Sequence, residues 1–256
     1  MTGMDLSGKQ ALVTGGGSGI GAAIAVALAE AGASVIVCGR RKEALEAVCE
    51  SHPGIKALQA DVTDEQSIAD LFAAMRDGSG TADIVVANAG AAESAPFPRT
   101  GFDLWQRMMA VNLNGVFLVL KEAMRDLAGK PWGRIVSIAS TAGIKGYPYV
   151  AAYCAAKHGV VGLTRALAAE TAGTGITVNA VCPGFADTPL LDASIANIVK
   201  KTGKSEAEAR SILAAANPMK RLIQPPEVAA AVLWLVGPGS DAVTGQAISV
   251  SGGETW

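Results

Sequence analysis

Histidine is scarce in this chain of 256 residues, which has only two, and its four cysteines follow no recognisable pattern. His52 and His158 are too few for a histidine-based zinc site. Cys38, Cys49, Cys154 and Cys182 show neither close metal-ligand spacing nor a small-domain disulfide framework. Cys38 and Cys182 fall in apolar runs and read as small core residues. No metal site is expected, and the expected compartment is the reducing cytoplasm. His52, in Ser51-His52-Pro53-Gly54, reads as part of a surface loop.

Long apolar runs are also missing. Half of the residues are hydrophobic, yet no run approaches the roughly 20 that cross a bilayer. The N-terminus has no basic region leading into an apolar one, so neither a signal peptide nor a membrane segment is expected. A net charge of -2 with scattered Lys and Arg argues against nucleic acid as a main partner.

What is present is a regular alternation. Strand-like apolar runs recur at Gln10–Thr14, Ser34–Cys38, Ile55–Gln59, Asp83–Ala87, Arg134–Ala139, Ile176–Cys182 and Gln246–Val250. Between them lie segments of helical period, including Ile20–Ala31, Glu65–Met75, Phe102–Leu127 and Ala151–Glu170. Continuously apolar strands are buried on both faces, which predicts a parallel sheet covered by helices in one α/β domain spanning 1–256. A helical stretch at 192–216 is too long for an ordinary connection. It is a candidate substrate lid within an insertion around 187–216, or a surface hairpin that only packs.

Thr14-Gly15-Gly16-Gly17-Ser18-Gly19-Ile20-Gly21 follows the first strand and opens the first helix. Glycines there allow a tight turn and let backbone amides approach a pyrophosphate over the helix N-terminus. No Lys-Ser or Lys-Thr closes the motif, which disfavours an ATPase-type phosphate loop. The second strand ends in Gly39-Arg40-Arg41, with no acidic residue to hold the adenosine ribose hydroxyls. Arg40, with Arg41 as second candidate, suits a 2'-phosphate, so NADP(H) is expected over NAD(H). Asp61-Val62 and Asn88-Ala89-Gly90 add loops at the carboxyl ends of later strands, where a parallel sheet binds its ligand.

Tyr153 and Lys157 lie four apart in a helical segment, which puts phenol and ammonium on one face. The expectation is that Lys157 eases ionisation of Tyr153 below its reference value of about 10. His158 is offset around the helix and reads as packing or surface, as does Cys154.

With Asn112 and Ser140 in order between the Gly-rich turn and Tyr153-Cys154-Ala155-Ala156-Lys157, the chain resembles the short-chain dehydrogenase/reductase family. The resemblance runs nearly end to end, to Gly252-Gly253. It implies a seven-stranded Rossmann sheet, NAD(P)-dependent hydride transfer between an alcohol and a ketone, and a homotetramer. It also implies catalytic roles for Asn112, Ser140, Tyr153 and Lys157, and a nicotinamide border at Pro183-Gly184, Ala186 and Thr188. Two positions depart from the family pattern. Ser18 stands where NADP-preferring members often carry a basic residue, and Ala186 stands where a branched apolar one is usual.

Segments of the chain resemble bacterial ketoacyl and polyketide ketoreductases, others 3-hydroxybutyrate dehydrogenases. Ala142, Ile144 and Val150 are poor partners for a carboxylate, and Lys145 points either to the site or to solvent. A 3-oxoacyl thioester or similar β-keto substrate is therefore expected, with Lys200, Lys201 and Lys204 as candidate contacts for a carrier phosphate. The alternatives are an NAD-dependent secondary or cyclic alcohol (or 3-hydroxy acid) dehydrogenase and, more remotely, a non-catalytic dinucleotide-binding scaffold. Trp105, Phe97 and Trp132 are candidate pocket or interface surface, and Glu254-Thr255-Trp256 reads as a tail that reaches a neighbour or shapes its pocket.

Overall fold

β1 (Gln10–Thr14) buries all five of its residues, and it does so by feeding two cores. Leu12 points into one, while Ala11 and Val13 point into the other. That double burial is why these strands read as unbroken apolar runs. β2 (Ser34–Gly39), β3 (Ile55–Gln59), β4 (Ile84–Ala87), β5 (Gly133–Ile138), β6 (Ile176–Pro183) and β7 (Ala247–Val250) complete the sheet. The computed structural model describes residues 4–255; Trp256 lies outside them.

All seven strands pair in parallel, in the order β3-β2-β1-β4-β5-β6-β7. The chain leaves β3 at one edge and re-enters beside β1 as β4. That reversal opens a crevice above the carboxyl ends of β1 and β4, the place where such sheets bind ligands. The expected α/β Rossmann sheet is the observed one, with strand ends shifted by at most one residue.

One core packs Leu12, Ile36, Val85 and Ile135 against Phe72, Val119, Leu120 and Val160. These come from α3 (Glu65–Gly78), α5 (Gly115–Leu127) and α6 (Ala151–Thr171). The other packs Val13, Val35 and Val37 against Ile24, Leu28, Val232 and Leu235, from α1 (Gly19–Glu30) and α9 (Pro225–Val236). Phe72 is fully buried, and burial of such a side chain contributes roughly 1.5–3 kcal/mol. α2 (Lys42–Ser51) flanks β2 and β3.

Two helical segments differ from the periodicity. Phe102–Leu127 is not one helix: α4 (Phe102–Met109) passes into a π-helical turn, Ala110–Asn114, before α5 begins. The turn adds a residue to the repeat without breaking the chain direction. The stretch at 192–216 is also divided, into α7 (Pro189–Thr202) and α8 (Glu206–Ala214). Gly203, at φ 70°, ends α7, and a reciprocal Ser205–Glu208 capping box starts α8. The hairpin has its own small core of Leu191, Ile195, Ala209 and Leu222.

Candidate active site

A cleft of about 1230 Å³ runs across the carboxyl ends of the strands. Its floor is shaped by glycine. A Cβ on Gly21 would stand 2.4 Å from both Asn88 Nδ2 and Gly15 O, and Gly15 itself sits at φ 64°. Asn88 does not turn its amide to the cleft. Its Nδ2 donates to Thr14 O (2.9 Å) and Gly15 O (3.2 Å), while Thr14 Oγ1 accepts from the backbone of Asn88 and Ala89. Asn88 thus ties β4 to the Gly-rich turn. Ser18 precedes α1 without a side-chain cap, and the first turn of α1 has no acidic residue. Its open N–H groups and positive dipole end face the cleft.

Ser140 follows β5 and caps a single 3-10 turn, its Oγ accepting from Ala142 N at 3.1 Å. Tyr153 and Lys157 stand on the first turns of α6. Lys157 is buried, donates from Nζ to Ile138 O at 2.8 Å, and lies 5.7 Å from the Tyr153 ring centroid. Asn112 sits in the π-helical turn, fully buried. Its Nδ2 donates to Ala91 O (2.9 Å) and Met108 O (3.1 Å), and its Oδ1 accepts from Ala91 N (3.2 Å). The turn therefore anchors the strand end that carries Gly90. All four of these residues line the same cleft.

The expected easing of Tyr153 ionisation is overturned. Burial pushes the phenol up to about 12, opposed by a hydrogen bond with Ser140. Burial also brings the Lys157 ammonium down to about 8. The loss of water outweighs a cation whose proton is directed to a carbonyl. Tyr153 is accordingly a protonated phenol at neutral pH.

The family model for short chain dehydrogenase matches residues 9–198. The chain belongs to that family. A variant of actinorhodin polyketide ketoreductase crystallised with NADPH superposes with a TM-score of 0.93 at 40% identity, covering 96% of this chain and 97% of that one. D-beta-hydroxybutyrate dehydrogenase of Rhizobium meliloti is 37% identical, over 96% of this chain and 98% of its own. Cis-4-hydroxycyclohexanecarboxylate dehydrogenase of Sinomonas cyclohexanicum is 40% identical over 96% of each. The protein is thus an oxidoreductase of the type that acts on ketones and alcohols.

This short-chain dehydrogenase brings the catalytic and cofactor-binding candidates to one cleft. Arg40 and Arg41 stand at the end where β2 stops, and Arg41 Nη2 lies 3.4 Å from Ser18 Oγ. Asp61 is raised by burial, but Thr63, hydrogen-bonding through N and Oγ1, and the charge of Arg40 hold its carboxyl below the usual range. Pro183, Gly184, Ala186 and Thr188 border the opposite half, with Thr188 packed on Gly19. Arg210 of α8 pins this loop through Asp187 (2.6 Å) and Asp192 (3.1 Å).

Other features lay outside the sequence reading. Tyr147, Tyr149 and Phe185 line the cleft, as do Leu190, Leu191 and Ile198 from the start and inner face of α7. The Tyr147-Pro148-Tyr149 pair just before Tyr153 was the available signal. Trp105, Phe97 and Trp132 do not line the cleft; Trp132 instead stacks under Lys9 and Arg134. Of the three lysines in the hairpin region, Lys201 alone reaches the cleft. Lys145 is paired with Glu254 at 3.1 Å, so it is not a free anchor. His158 is exposed and bonds to Cys154 O of its own helix, outside the cleft.

Proposed function

We propose that this short-chain dehydrogenase is an NADP(H)-dependent reductase of a 3-oxoacyl thioester or similar β-keto substrate. The observation that carries the reading is the wall around Ser140 and Tyr153. Ala142, Val150, Tyr147 and Phe185 line the cleft with them, and none of these carries a charge for a free carboxylate. An extended apolar acyl chain fits between that wall and α7, which we take as a substrate lid.

The residues present fit a dinucleotide. The tight turn at Gly15, at a φ of 64°, and the uncapped start of α1 suit a pyrophosphate. Arg40 and Arg41 suit a 2'-phosphate. Asp61 and Val62 border the adenine half of the cleft, and Lys157 and Thr188 the nicotinamide half. A nicotinamide held there would supply the hydride for the carbonyl carbon. Tyr153 donates its phenolic proton to the carbonyl oxygen, and Ser140 hydrogen-bonds the same oxygen as charge develops. Lys157, with Asn112 behind it, keeps a cation beside the tyrosine.

A second reading is an NAD-dependent dehydrogenase of a secondary or cyclic alcohol, favoured by the compact aromatic wall of Tyr147, Tyr149 and Phe185. Exposed Phe102, Phe117 and Trp234 support self-association, and we take the protein as a cytoplasmic homotetramer. The test is a kinetic screen of acyl thioesters, β-keto esters and cyclic ketones with both cofactors. Preferred turnover of a β-keto substrate with NADPH supports the first reading. Preferred oxidation of cyclic alcohols with NAD overturns it in favour of the second.

A further inference from the structure

We infer that Glu254 is a positioning and specificity-determining residue, acting from behind the cleft wall through Tyr147. The inference rests on the reductase reading of the cleft.

After β7, Gly252 and Gly253 take left-handed φ values of 61° and 86° and turn the chain back toward the site. A Cβ on Gly252 would fall 2.1 Å from Asn217 Oδ1, so no larger residue fits that turn. The turn delivers a carboxylate into the interior: the Glu254 side chain is only 2% exposed. A residue that merely filled space there would be apolar, because an interior carboxylate is unfavourable unless partnered.

Its partners come from the segment between Ser140 and Tyr153, where Tyr147 lines the cleft. Glu254 Oε1 accepts from Tyr147 OH at 2.5 Å and is ion-paired with Lys145 Nζ at 3.1 Å. Oε2 has no hydrogen-bond partner among the described residues, and it lies 3.0 Å from where a Cβ on Gly184 would stand. The Tyr147 hydroxyl is also 2.6 Å from Thr141 Oγ1. Since the phenol gives its proton to Glu254, Thr141 is the donor in that contact. Both capacities of the phenol are then used inside the protein. Burial, with the carboxylate acceptor, holds the Tyr147 phenol far above its usual range.

The consequence lies on the other side of the ring. Tyr147 and Phe185 line the cleft and meet edge to face, with centroids 5.9 Å apart. Glu254 itself does not line it. The substrate therefore meets an aromatic face with no hydrogen-bond donor. The same carboxylate holds the segment that joins Ser140 to Tyr153 and packs beside Gly184 in the loop that follows β6. Without Glu254 the phenol is released and the wall gains a polar group.

The experiment compares the full-length wild type with Glu254→Ala, Tyr147→Phe and the double variant. Each is assayed with NADPH and a pair of ketones, one with an apolar and one with a hydroxylated side chain. Glu254→Ala is expected to raise KM for the apolar ketone roughly fivefold or more, with kcat and the cofactor KM within about twofold. Its preference for the apolar ketone falls. In the Tyr147→Phe background the same change shifts KM less than about twofold, because no phenol remains to release. Hydrogen exchange of the free Glu254→Ala protein is faster across residues 141–150 and unchanged across 19–30.

Unchanged ketone preference in folded Glu254→Ala overturns the inference, as does a full effect in the Tyr147→Phe background. Should Glu254→Ala not fold, Tyr147→Phe alone carries the test: a hydroxyl already held by Glu254 is lost without effect on the substrate, so ketone preference stays within about twofold, and a clear change in preference is equally fatal. A wild type that reduces ketones while the variants match it sinks this inference alone. A wild type that turns over no ketone sinks the reductase reading as well.

Discussion

Lys157 donates its ammonium proton to the carbonyl of Ile138 at 2.8 Å, two residues before Ser140. The bond fixes the helix that bears Tyr153 against the strand end that bears Ser140, and it accompanies an ammonium lowered to about 8 by burial. A base whose folded value lies below its unfolded one, near 10.4, is disfavoured while charged. Stability is therefore reduced below about pH 8 and recovers as pH rises toward about 10.4, where the unfolded chain binds more protons. Chemical denaturation of wild type and Lys157→Met from about pH 7 to pH 10 is expected to show wild type gaining on the variant above pH 8. A pH-independent difference between the two proteins contradicts this assignment.

In the proposed reading, Arg40 and Arg41 set the cofactor preference. Charge-assisted hydrogen bonds to a phosphate are worth about 1.5–3 kcal/mol, so Arg40→Ala or Arg41→Ala is expected to raise the NADPH KM on the order of 10- to 100-fold. The NADH KM is expected to stay within about twofold, since that ligand has no 2'-phosphate to lose. Parallel steady-state titrations with both cofactors check it, and strong NAD preference with little loss in Arg40→Ala removes the reductase assignment.

Gly21 meets Asn88 and Gly15 so closely that any Cβ collides with backbone. Gly21→Ala is expected to lower stability by roughly 1–3 kcal/mol through overpacking. It also displaces the turn that faces the cofactor. Thermal unfolding and fluorescence titration with NADPH measure the two effects separately.

Asn112 is both donor and acceptor in its buried turn, and two of its contacts are with carbonyl oxygens. Asn112→Ala leaves those groups unpaired and is expected to cost about 1–3 kcal/mol. Asn112→Asp sets a carboxylate against the carbonyls and is expected to cost more. Denaturation midpoints rank the variants; an aspartate as stable as the alanine overturns this account of the turn.

Much of the site was legible because its signals are local. The Gly-rich turn and the Tyr153–Lys157 spacing are read within a few residues, and alternating strands and helices bring them together in any doubly wound sheet. The π-helical turn at Asn112 was hidden, because one extra residue barely disturbs the apolar period of 102–127. The Tyr147–Glu254 bond joins residues 107 apart, beyond any local pattern. The ionisation of Tyr153 was misread for a related reason. Spacing reveals the nearby cation, but it does not reveal the water that the fold excludes.

Proton transfer by Tyr153 is the central claim, and Tyr153→Phe tests it most directly because it deletes only the hydroxyl. With NADPH and a β-keto thioester, kcat is expected to fall by about 10²–10⁴-fold, the range of general acid catalysis, while NADPH binding and the melting temperature stay near wild type. Wild-type turnover by a folded, NADPH-binding Tyr153→Phe protein contradicts the account.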